Sequence, residues 1–370
     1  MSPSSLGSAH GRELRVLAIG GGTGLSTLLR GLKKYTAALS RSEHGGGSPF
    51  DSAPDGSAPR KADSARISAL CAVVTVSDDG GSSGRLRKEF NMLPPGDVRN
   101  CIVALSEEEA MLSKLFQHRF KKGSGLEGHS FGNLFLAALT SLTGDFSEAV
   151  RLSSEILATR GHIFPATAAS IELEALMQDG TRVRGETKIT ASKGRIEELF
   201  LVPPNPEPLP QTLEAIARTD VITIGPGSLF TSLIPNLLVR GIPEAIRESS
   251  AIKVYVCNLM TQANESLGRT AADHILALND HAGGQIFDYA LVNRAPLSSE
   301  LKAKYALEGA SQIVADLEAI EAMGVCPVLG DYLFEDTVAR HATDRVATDL
   351  LALAAQAPSE KRRAVQHKGN

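Results

Sequence analysis

The sequence is poor in several features that identify common classes of protein. It has no tryptophan, 5% of its residues are aromatic, and it has only four cysteines in 370 residues. The cysteines are Cys71, Cys101, Cys257 and Cys326, and none of them forms a Cys-x-x-Cys pair. This spacing excludes a zinc ribbon, a cysteine-ligated iron–sulfur site and a redox pair, so we expect four buried thiols.

Charge and hydrophobicity exclude two further classes. The chain has 38 basic and 42 acidic residues, and outside Lys361–Arg363 there is no basic block. The concentrated positive charge of a nucleic-acid-binding surface is therefore absent. No apolar run has the length that spans a bilayer, and residues 1–11 lack the basic and apolar regions of a signal peptide. We therefore expect a cytoplasmic protein without a membrane span or a nucleic-acid partner.

What the sequence does have is three glycine-rich turns, each between an apolar run and a helix-like pattern. They are Gly20–Gly24, Ser77–Gly84 and Gly225–Ser228. A strand, a tight turn and a helix together point backbone N–H groups and the positive end of a helix dipole at one place, which suits a phosphate. Because parallel strands end at one edge of a sheet, the turns predict a nucleotide or nucleotide-sugar site there.

The first turn differs from the common phosphate motifs. Counted from Gly20, the third glycine of Gly-x-Gly-x-x-Gly would fall on Leu25, and the Gly-Lys-Ser/Thr ending of a P-loop is missing. The glycines can alternatively serve only to make a tight turn. Four glycines and Thr23 within five residues favour phosphate contact, and the predicted phosphate ligands of the first and third turns are Gly21, Gly22, Thr23, Gly24, Gly225, Gly227 and Ser228.

The second turn is rich in charged and hydroxyl side chains. Its mixture of carboxylates, hydroxyls and arginine can hold a hydroxylated, phosphorylated ligand, and the candidate residues are Ser77, Asp78, Asp79, Ser82 and Arg85. Asp78 and Asp79 are alternatively candidate ligands of Mg²⁺, which takes one or two carboxylates together with substrate phosphates. A solvated Asx turn is the simplest alternative.

Three further polar segments are candidate ligand contacts. Asp97, placed to cap a helix, shares one turn with Arg99 and Asn100, and the arginine beside the asparagine can bind phosphate or ribose. A plain helix cap is the alternative, and Asp97 and Asn100 are candidate ligand contacts. Residues 128–132 match Gly-x-Ser-x-Gly, but the preceding segment is a polar loop instead of a strand, so we interpret the match as coincidental. Ser130 and Asn133 remain candidate ligand contacts at a helix N-terminus. The amide-rich segment 258–265 adds Thr261.

The order of predicted elements indicates an α/β fold. Strands and helices alternate as in a doubly wound, mostly parallel sheet. Residues 163–202 are predicted to form a small antiparallel subdomain, with strands at Ile171–Met177, Arg182–Thr190 and Arg195–Leu201. The main unit spans residues 12–330. It contains a disordered insertion at 37–65, rich in Gly, Ser and Pro, and is followed by a helical extension and tail at 331–370.

The order of these motifs resembles the gluconeogenesis factor family, within the superfamily of 2-phospho-L-lactate transferase. The resemblance covers about residues 14–320 and its most specific part is Thr75–Arg87. It implies a Rossmann-like fold and a cytoplasmic protein that binds a UDP-sugar such as UDP-N-acetylglucosamine and supports cell-wall synthesis and cell shape (morphogenesis) during gluconeogenic growth. The transferase branch instead moves a phospholactyl group to a deazaflavin with a divalent cation.

Two functions follow from the resemblance. The first is a UDP-sugar-binding protein without established turnover, with cell-wall regulatory proteins and a second copy of the chain as candidate partners. The second is a phospholactyl transferase with Mg²⁺ on Asp78 or Asp79. Arg269 stands where relatives often have an aromatic residue near the sugar nucleotide, so it joins the candidate ligand contacts. The low aromatic content favours the first function, since a deazaflavin would need a stacking platform.

Overall fold

The computed structural model describes residues 13–36, 66–107, 110–192, 194–263 and 265–356. The predicted insertion at 37–65 and the end of the tail, 357–370, lie outside the described residues. The strands of the described part are β1 Glu13–Gly20, β2 Arg66–Val74, β3 His162–Pro165, β4 Glu172–Met177, β5 Arg182–Arg184, β6 Ile196–Val202, β7 Val221–Ile224, β8 Ile252–Val256, β9 Tyr289–Asn293, β10 Cys326–Gly330, β11 Leu333–Glu335 and β12 Ala339–His341.

The helices lie between and around these strands. In the described residues they are α1 Gly22–Lys33, α2 Gly81–Phe90, α3 Gly96–Leu105, α4 Ala110–Gln117, α5 Phe131–Thr143, α6 Phe146–Ile156, α7 Glu186–Ala191, α8 Pro210–Arg218, α9 Ile234–Leu237, α10 Ile242–Glu248, α11 Ala271–His281, α12 Ser299–Ala306, α13 Leu317–Ala322 and α14 Thr343–Gln356. A π-helical turn, Leu229–Leu233, leads directly into α9. No helix in these ranges is long and apolar enough to cross a membrane.

Seven strands form one parallel sheet in the order β10-β9-β8-β7-β1-β2-β3. This is the predicted Rossmann-like, doubly wound α/β architecture. The strand order reverses at β1, which pairs with β2 on one side and with β7 on the other. Ligands of such sheets bind at the carboxyl ends of the strands on either side of the reversal. The first and third glycine turns follow β1 and β7, so the topology puts both at that point.

The apolar content of the central strands explains why they form the middle of the sheet. From Leu14 to Gly20 every residue of β1 except Arg15 is buried, and β2 is buried continuously from Ala69 to Val74. Strands with both faces covered by helices do not alternate apolar and polar residues, and their sequences are continuous hydrophobic runs. Arg15 is accommodated at the start of β1 because its guanidinium pairs with Asp220 at 3.0 Å.

The predicted antiparallel subdomain is present as the three-stranded sheet β5-β4-β6, but one of its strands is shorter than predicted. The prediction of a strand over Arg182–Thr190 is wrong beyond Arg184, because residues 186–191 form α7. Gly185 has φ +100°, which ends the strand, and Asp79 accepts hydrogen bonds from the backbone N–H and the hydroxyl of Thr187 at 2.9 and 2.6 Å. A tertiary contact therefore converts a locally strand-like segment into a helical turn.

The cysteines show one further correction. Cys71, Cys101 and Cys257 are buried as predicted, whereas Cys326 is exposed. Cys326 begins β10, the edge strand of the sheet, so one side of it has no neighbouring strand to cover it. The apolar sequence around Cys326 does not reveal that the strand is at the edge.

Candidate functional site

A cleft of about 660 Å³ crosses the carboxyl ends of β1, β7 and β8. Of the predicted site residues, it brings together Gly21, Gly22, Thr23, Gly24, Asp97, Gly227, Ser228 and Thr261. The first and third turns lie against each other, since a Cβ atom on Gly24 would be only 2.3 Å from the carbonyl oxygen of Pro226. This close approach requires glycine, and it shapes the floor of the cleft.

The first turn begins α1 without a side-chain cap. Gly21 is the N-cap residue in an extended conformation, no side chain caps the helix, and there is no acidic residue in its first turn. Gly22, Thr23 and Gly24 line the cleft, and Thr23 is exposed. The first N–H groups of a helix have no partner within the helix and carry its positive partial charge. This end of the cleft therefore offers free backbone donors to an anion.

The third turn is braced by internal hydrogen bonds. The Asn258 side chain accepts from the N–H of Gly227 at 3.1 Å and donates to its carbonyl at 2.7 Å. The Gln262 amide donates to the Ser228 hydroxyl at 2.8 Å. These two amides belong to the segment that follows β8, so they tie the ends of β7 and β8 together.

The helix after the third turn already holds a carboxylate. Glu265 is 5% exposed and accepts hydrogen bonds from the N–H groups of Phe230 and Thr231 at 2.7 and 2.9 Å. Burial raises the pKa of Glu265, and the two N–H groups oppose that rise. Since Glu265 uses the donors that a phosphate would need, the first turn has the stronger free anion site.

A group of carboxylates borders the first turn. Asp97 lies in the first turn of α3, accepts a hydrogen bond from the Gly22 N–H, and lines the cleft with Glu186. Burial and the neighbouring Asp78 raise the pKa of Asp97 to about 6. Burial, Asp78 and Asp97 raise the pKa of Glu186 to about 9, although the Ser77 hydroxyl donates to it at 3.2 Å. Glu186 is therefore protonated at neutral pH.

The prediction that Asp97 caps α3 is wrong. Pro95 is the N-cap residue and no side chain caps this helix. The Asp97 carboxylate instead faces the first glycine turn, where a Cβ on Gly21 would lie 3.0 Å from its Oδ2 atom. Asp97 thus connects α3 to the start of α1, and its role belongs to the cleft.

The remaining predicted residues lie outside the cleft lining. Asp79 holds α7 through Thr187, and Asp78 accepts from the Gly80 N–H at 2.9 Å. Ser82 bonds to the Nδ1 atom of His129 at 2.9 Å and accepts from the Asn133 amide at 3.1 Å. The other partners are Glu186 for Ser77, the Glu127 carbonyl for Arg85, Arg99 for Asn100 and the Ile196 carbonyl for Arg269. The carbonyl of Val256 closely approaches Gly225, which has φ +86°.

Arg269 belongs to a different cavity. Its guanidinium lies 5.1 Å from the ring centroid of Phe230, and it lines a separate cavity of about 250 Å³ with His281 and Asp280. The structure therefore separates Arg269 from the other predicted contacts.

Several residues that line the cleft have no signal in the sequence. They come from five elements or turns: Glu186 and Thr190 from α7, Ser232 from the π-helical turn, Tyr305 from α12, Glu308 from the turn after it, and Ala339 and His341 from β12. None of these residues lies next to a glycine motif in the sequence, so only the folded structure shows that they belong to the site.

The described residues contain no group of three or more His, Cys, Asp or Glu that could hold a metal ion. Mg²⁺ bound through phosphates needs only one or two carboxylates. Asp78 and Asp97 are electrostatically coupled beside the cleft, whereas Asp79 faces α7. A cation on phosphates at the first turn would therefore fit Asp97 and Asp78 better than the predicted pair Asp78 and Asp79.

Comparison with known proteins gives consistent results. The family model described as 2-phospho-L-lactate transferase CofD matches residues 16–333. The gluconeogenesis factor of Halalkalibacterium halodurans is 47% identical, over 92% of this chain and 96% of the relative. The gluconeogenesis factor of Bacillus subtilis is 45% identical, over 93% of this chain and 99% of the relative. A crystal structure of a Bacillus halodurans member of the UPF0052 family is similar with a TM-score of 0.81 and 47% identity, over 92% of this chain and 99% of that one.

Proposed function

The chain belongs to the CofD family and to the gluconeogenesis factors within it, and from this premise we propose that its cleft binds a UDP-sugar such as UDP-N-acetylglucosamine. The diphosphate lies on the N–H groups of the Gly21–Gly24 turn. The uridine and sugar extend along the ends of β7 and β8, past Asn258, Thr261 and Gln262. We further propose a cytoplasmic protein that supports cell-wall synthesis and cell shape during gluconeogenic growth.

The observation that carries this proposal is the uncapped start of α1 in the cleft. The Gly22 N–H is paired with Asp97, but no N-cap side chain caps the next N–H groups, those of Thr23 and Gly24, whereas two donors of the neighbouring helix are paired with Glu265. Helix N-termini bind phosphate through these N–H groups and the helix dipole. The cleft continues past residues that carry amide and hydroxyl groups, which suit the hydroxyl and imide groups of a nucleotide sugar.

Asp97 sets a condition on this binding. Its carboxylate shares the start of α1 with the proposed diphosphate, and two anions at one site repel each other. The repulsion is relieved by protonation of Asp97 or by a divalent cation between the carboxylate and the phosphates. Affinity for a UDP-sugar should therefore rise with Mg²⁺, or as pH falls through about 6, where the raised pKa of Asp97 lies.

A second candidate function is transfer of a phospholactyl group. The carboxylates Asp78 and Asp97 beside the neutral Glu186 favour it, because one or two carboxylates can hold a cation on phosphates and a protonated carboxyl group can donate a proton. Bound Mg²⁺ would offset charge on the leaving phosphate. Asp97 and Asp78 would hold the ion, and Glu186 would exchange a proton at the same edge of the cleft.

Calorimetric titration separates the two functions. Purified protein is titrated with UDP-N-acetylglucosamine, UDP and GDP, each with Mg²⁺ and with EDTA, and the nucleotide is recovered for chromatography. Saturable binding of the UDP-sugar, with the ligand recovered intact, supports the first function. Binding of GDP alone with Mg²⁺ overturns it in favour of the transferase.

An Asp97→Asn variant provides the matched test of the phosphate position. It keeps the shape of the side chain and removes the negative charge, so it should bind the UDP-sugar in EDTA at about pH 8 more tightly than the natural protein does. Asp79→Asn is the control, since Asp79 contacts α7 and does not line the cleft. Equal affinity of Asp97→Asn and the natural protein under these conditions would place the phosphates elsewhere.

A further inference from the structure

His341 is a cleft residue with one ring nitrogen already occupied. It ends β12 and is half-buried, and its Nε2 atom lies 3.0 Å from the carbonyl oxygen of Cys257, just after β8. Its other ring nitrogen, Nδ1, has no hydrogen-bond partner among the residues that the structure describes. His341 thus ties the β11–β12 hairpin to the sheet, lines the cleft and leaves Nδ1 without a partner among the described residues.

The bond to Cys257 determines the protonation of the ring. A carbonyl oxygen only accepts hydrogen bonds, so Nε2 must carry the hydrogen. Burial lowers the pKa of His341 to about 4, and the ring is therefore neutral at physiological pH. A neutral imidazole has a single N–H group, so Nδ1 has a free lone pair and accepts hydrogen bonds.

The place of His341 in the sheet separates it from the proposed phosphate position. Cys257 follows β8, and β7 lies between β8 and β1. At a spacing of about 4.8 Å between neighbouring strands, the end of β8 is roughly 10 Å from the end of β1. A ligand whose phosphates lie at Gly21–Gly24 therefore presents a different group to His341.

We propose that His341 is a specificity-determining residue that accepts a hydrogen bond from an uncharged O–H or N–H group of the nucleotide sugar. This inference rests on the proposed function. The lone pair at Nδ1 repels phosphate and carboxylate oxygens, so it also keeps anionic groups away from the β8 side of the cleft. The donor is an O–H or N–H group of the N-acetylglucosamine unit or of the uridine, and the binding experiment distinguishes these two sources.

The tautomer is tested first, without any ligand. In the ¹⁵N NMR spectrum of the natural protein with labelled histidine, His341 should show a protonated Nε2 and an unprotonated Nδ1 at about pH 7. The His341→Gln spectrum assigns the signal. A protonated Nδ1 in the natural protein would overturn the inference whatever the ligand is. Adding UDP-N-acetylglucosamine should then shift the Nδ1 resonance upfield, as hydrogen bonding to a lone pair does.

Two substitutions then separate the acceptor from the tie to Cys257. The terminal amide of glutamine reaches the position of Nε2, so His341→Gln keeps a donor for the Cys257 carbonyl and removes the acceptor. Asparagine places its amide near the position of Nδ1, so His341→Asn keeps an acceptor there and loses the hydrogen bond to the Cys257 carbonyl. Affinity for the UDP-sugar should fall about tenfold in His341→Gln, the loss of one hydrogen bond, and less in His341→Asn.

The remaining arms identify the donor and distinguish the possible failures. If the donor is on the N-acetylglucosamine unit, His341→Gln leaves affinity for UDP unchanged; if it is on the uridine, affinity for UDP falls by the same factor. The inference is overturned, and the proposed function is kept, if a folded His341→Gln protein has unchanged affinity for the UDP-sugar and the Nδ1 resonance of the natural protein does not shift. A natural protein that binds no UDP-sugar overturns the proposed function, and the ligand assignment of His341 fails with it.

Discussion

The Glu265 carboxylate accepts a 2.7 Å hydrogen bond from the backbone N–H of Phe230, at the start of the helical segment that follows the third glycine turn. The same oxygen accepts from the Thr231 N–H at 2.9 Å. The protein thus places its own anion where the sequence predicts part of a phosphate site. The first and third glycine turns are similar in composition, but they consequently differ in the backbone donors that they can offer to a ligand.

The carboxylate should contribute to stability. Glu265→Ala leaves two buried N–H groups without a partner, and we expect the free energy of unfolding to fall by about 2–3 kcal/mol. Glu265→Gln keeps an acceptor of similar shape and should cost about 1 kcal/mol. Urea denaturation followed by circular dichroism measures both variants. Equal losses would show that the acceptor oxygen contributes nothing beyond packing.

The contact between the first and third turns predicts a difference between two glycines. In Gly24→Ala the new Cβ would lie 2.3 Å from the Pro226 carbonyl oxygen, so the two turns must separate. We expect a loss of about 2–4 kcal/mol in stability and at least a tenfold loss in UDP-sugar affinity. Gly20→Ala is the matched control, since its nearest neighbours are at 3.5 Å, an ordinary contact. Similar affinities of the two variants would contradict the role of this contact.

The raised pKa of Glu186 predicts how stability depends on pH. Between its ordinary value of 4.5 and about 9, the folded protein keeps a proton that the unfolded chain releases. The free energy of unfolding therefore falls as pH rises through this interval, and the stability that the neutral form provides is complete only below it. Glu186→Gln removes the ionisable group, so the free energy of unfolding of the variant should exceed that of the natural protein by about 2 kcal/mol at about pH 9.

The same two proteins should have nearly equal stability at about pH 4, where Glu186 is protonated in both states. Urea denaturation at several pH values, in EDTA, measures the difference. A constant difference across this range would show that Glu186 does not retain its proton in the folded protein.

Ser130 should act as a helix cap and not as a nucleophile. Its hydroxyl accepts from the Asn133 N–H at 3.3 Å at the start of α5, and the described element immediately before α5 is the helix α4, whereas a nucleophile elbow follows a strand. Ser130→Ala should lower the free energy of unfolding by about 1 kcal/mol. Ser130→Asp retains a capping oxygen and should recover part of the loss in urea denaturation. Hydrolysis of an activated ester at a rate that Ser130→Ala abolishes would contradict this assignment.

The cysteines should differ in reactivity. Cys326 is exposed, whereas burial raises the pKa of Cys71, Cys101 and Cys257, the last to about 12. A thiol reagent such as dithionitrobenzoate should therefore modify one thiol per native chain rapidly and the other three only after unfolding. Cys326→Ser should show no rapid phase. Rapid modification of a second thiol would indicate local opening of the core.

Prediction from sequence succeeded where the pattern is local. The apolar runs before Gly20 and Gly225 predict strands, and the turns after them are where strand-to-helix connections occur. The same reasoning failed for residues 186–190, because the propensity for a strand there is outweighed by the hydrogen bonds from Thr187 to Asp79. A residue more than a hundred positions away decides that segment.

The sequence alone was sufficient to determine the α/β class, the three glycine turns and the gluconeogenesis factor family, because each depends on residues that are neighbours in the chain. The tertiary structure decided which of the predicted residues meet. In the folded protein the first and third turns meet at Gly24 and Pro226, and Asp97 faces the cleft instead of capping α3. Glu186 and His341 reach the cleft from distant elements. Helix donors, carboxylates and histidine nitrogens depend on their partners in space, and chain spacing does not specify those partners.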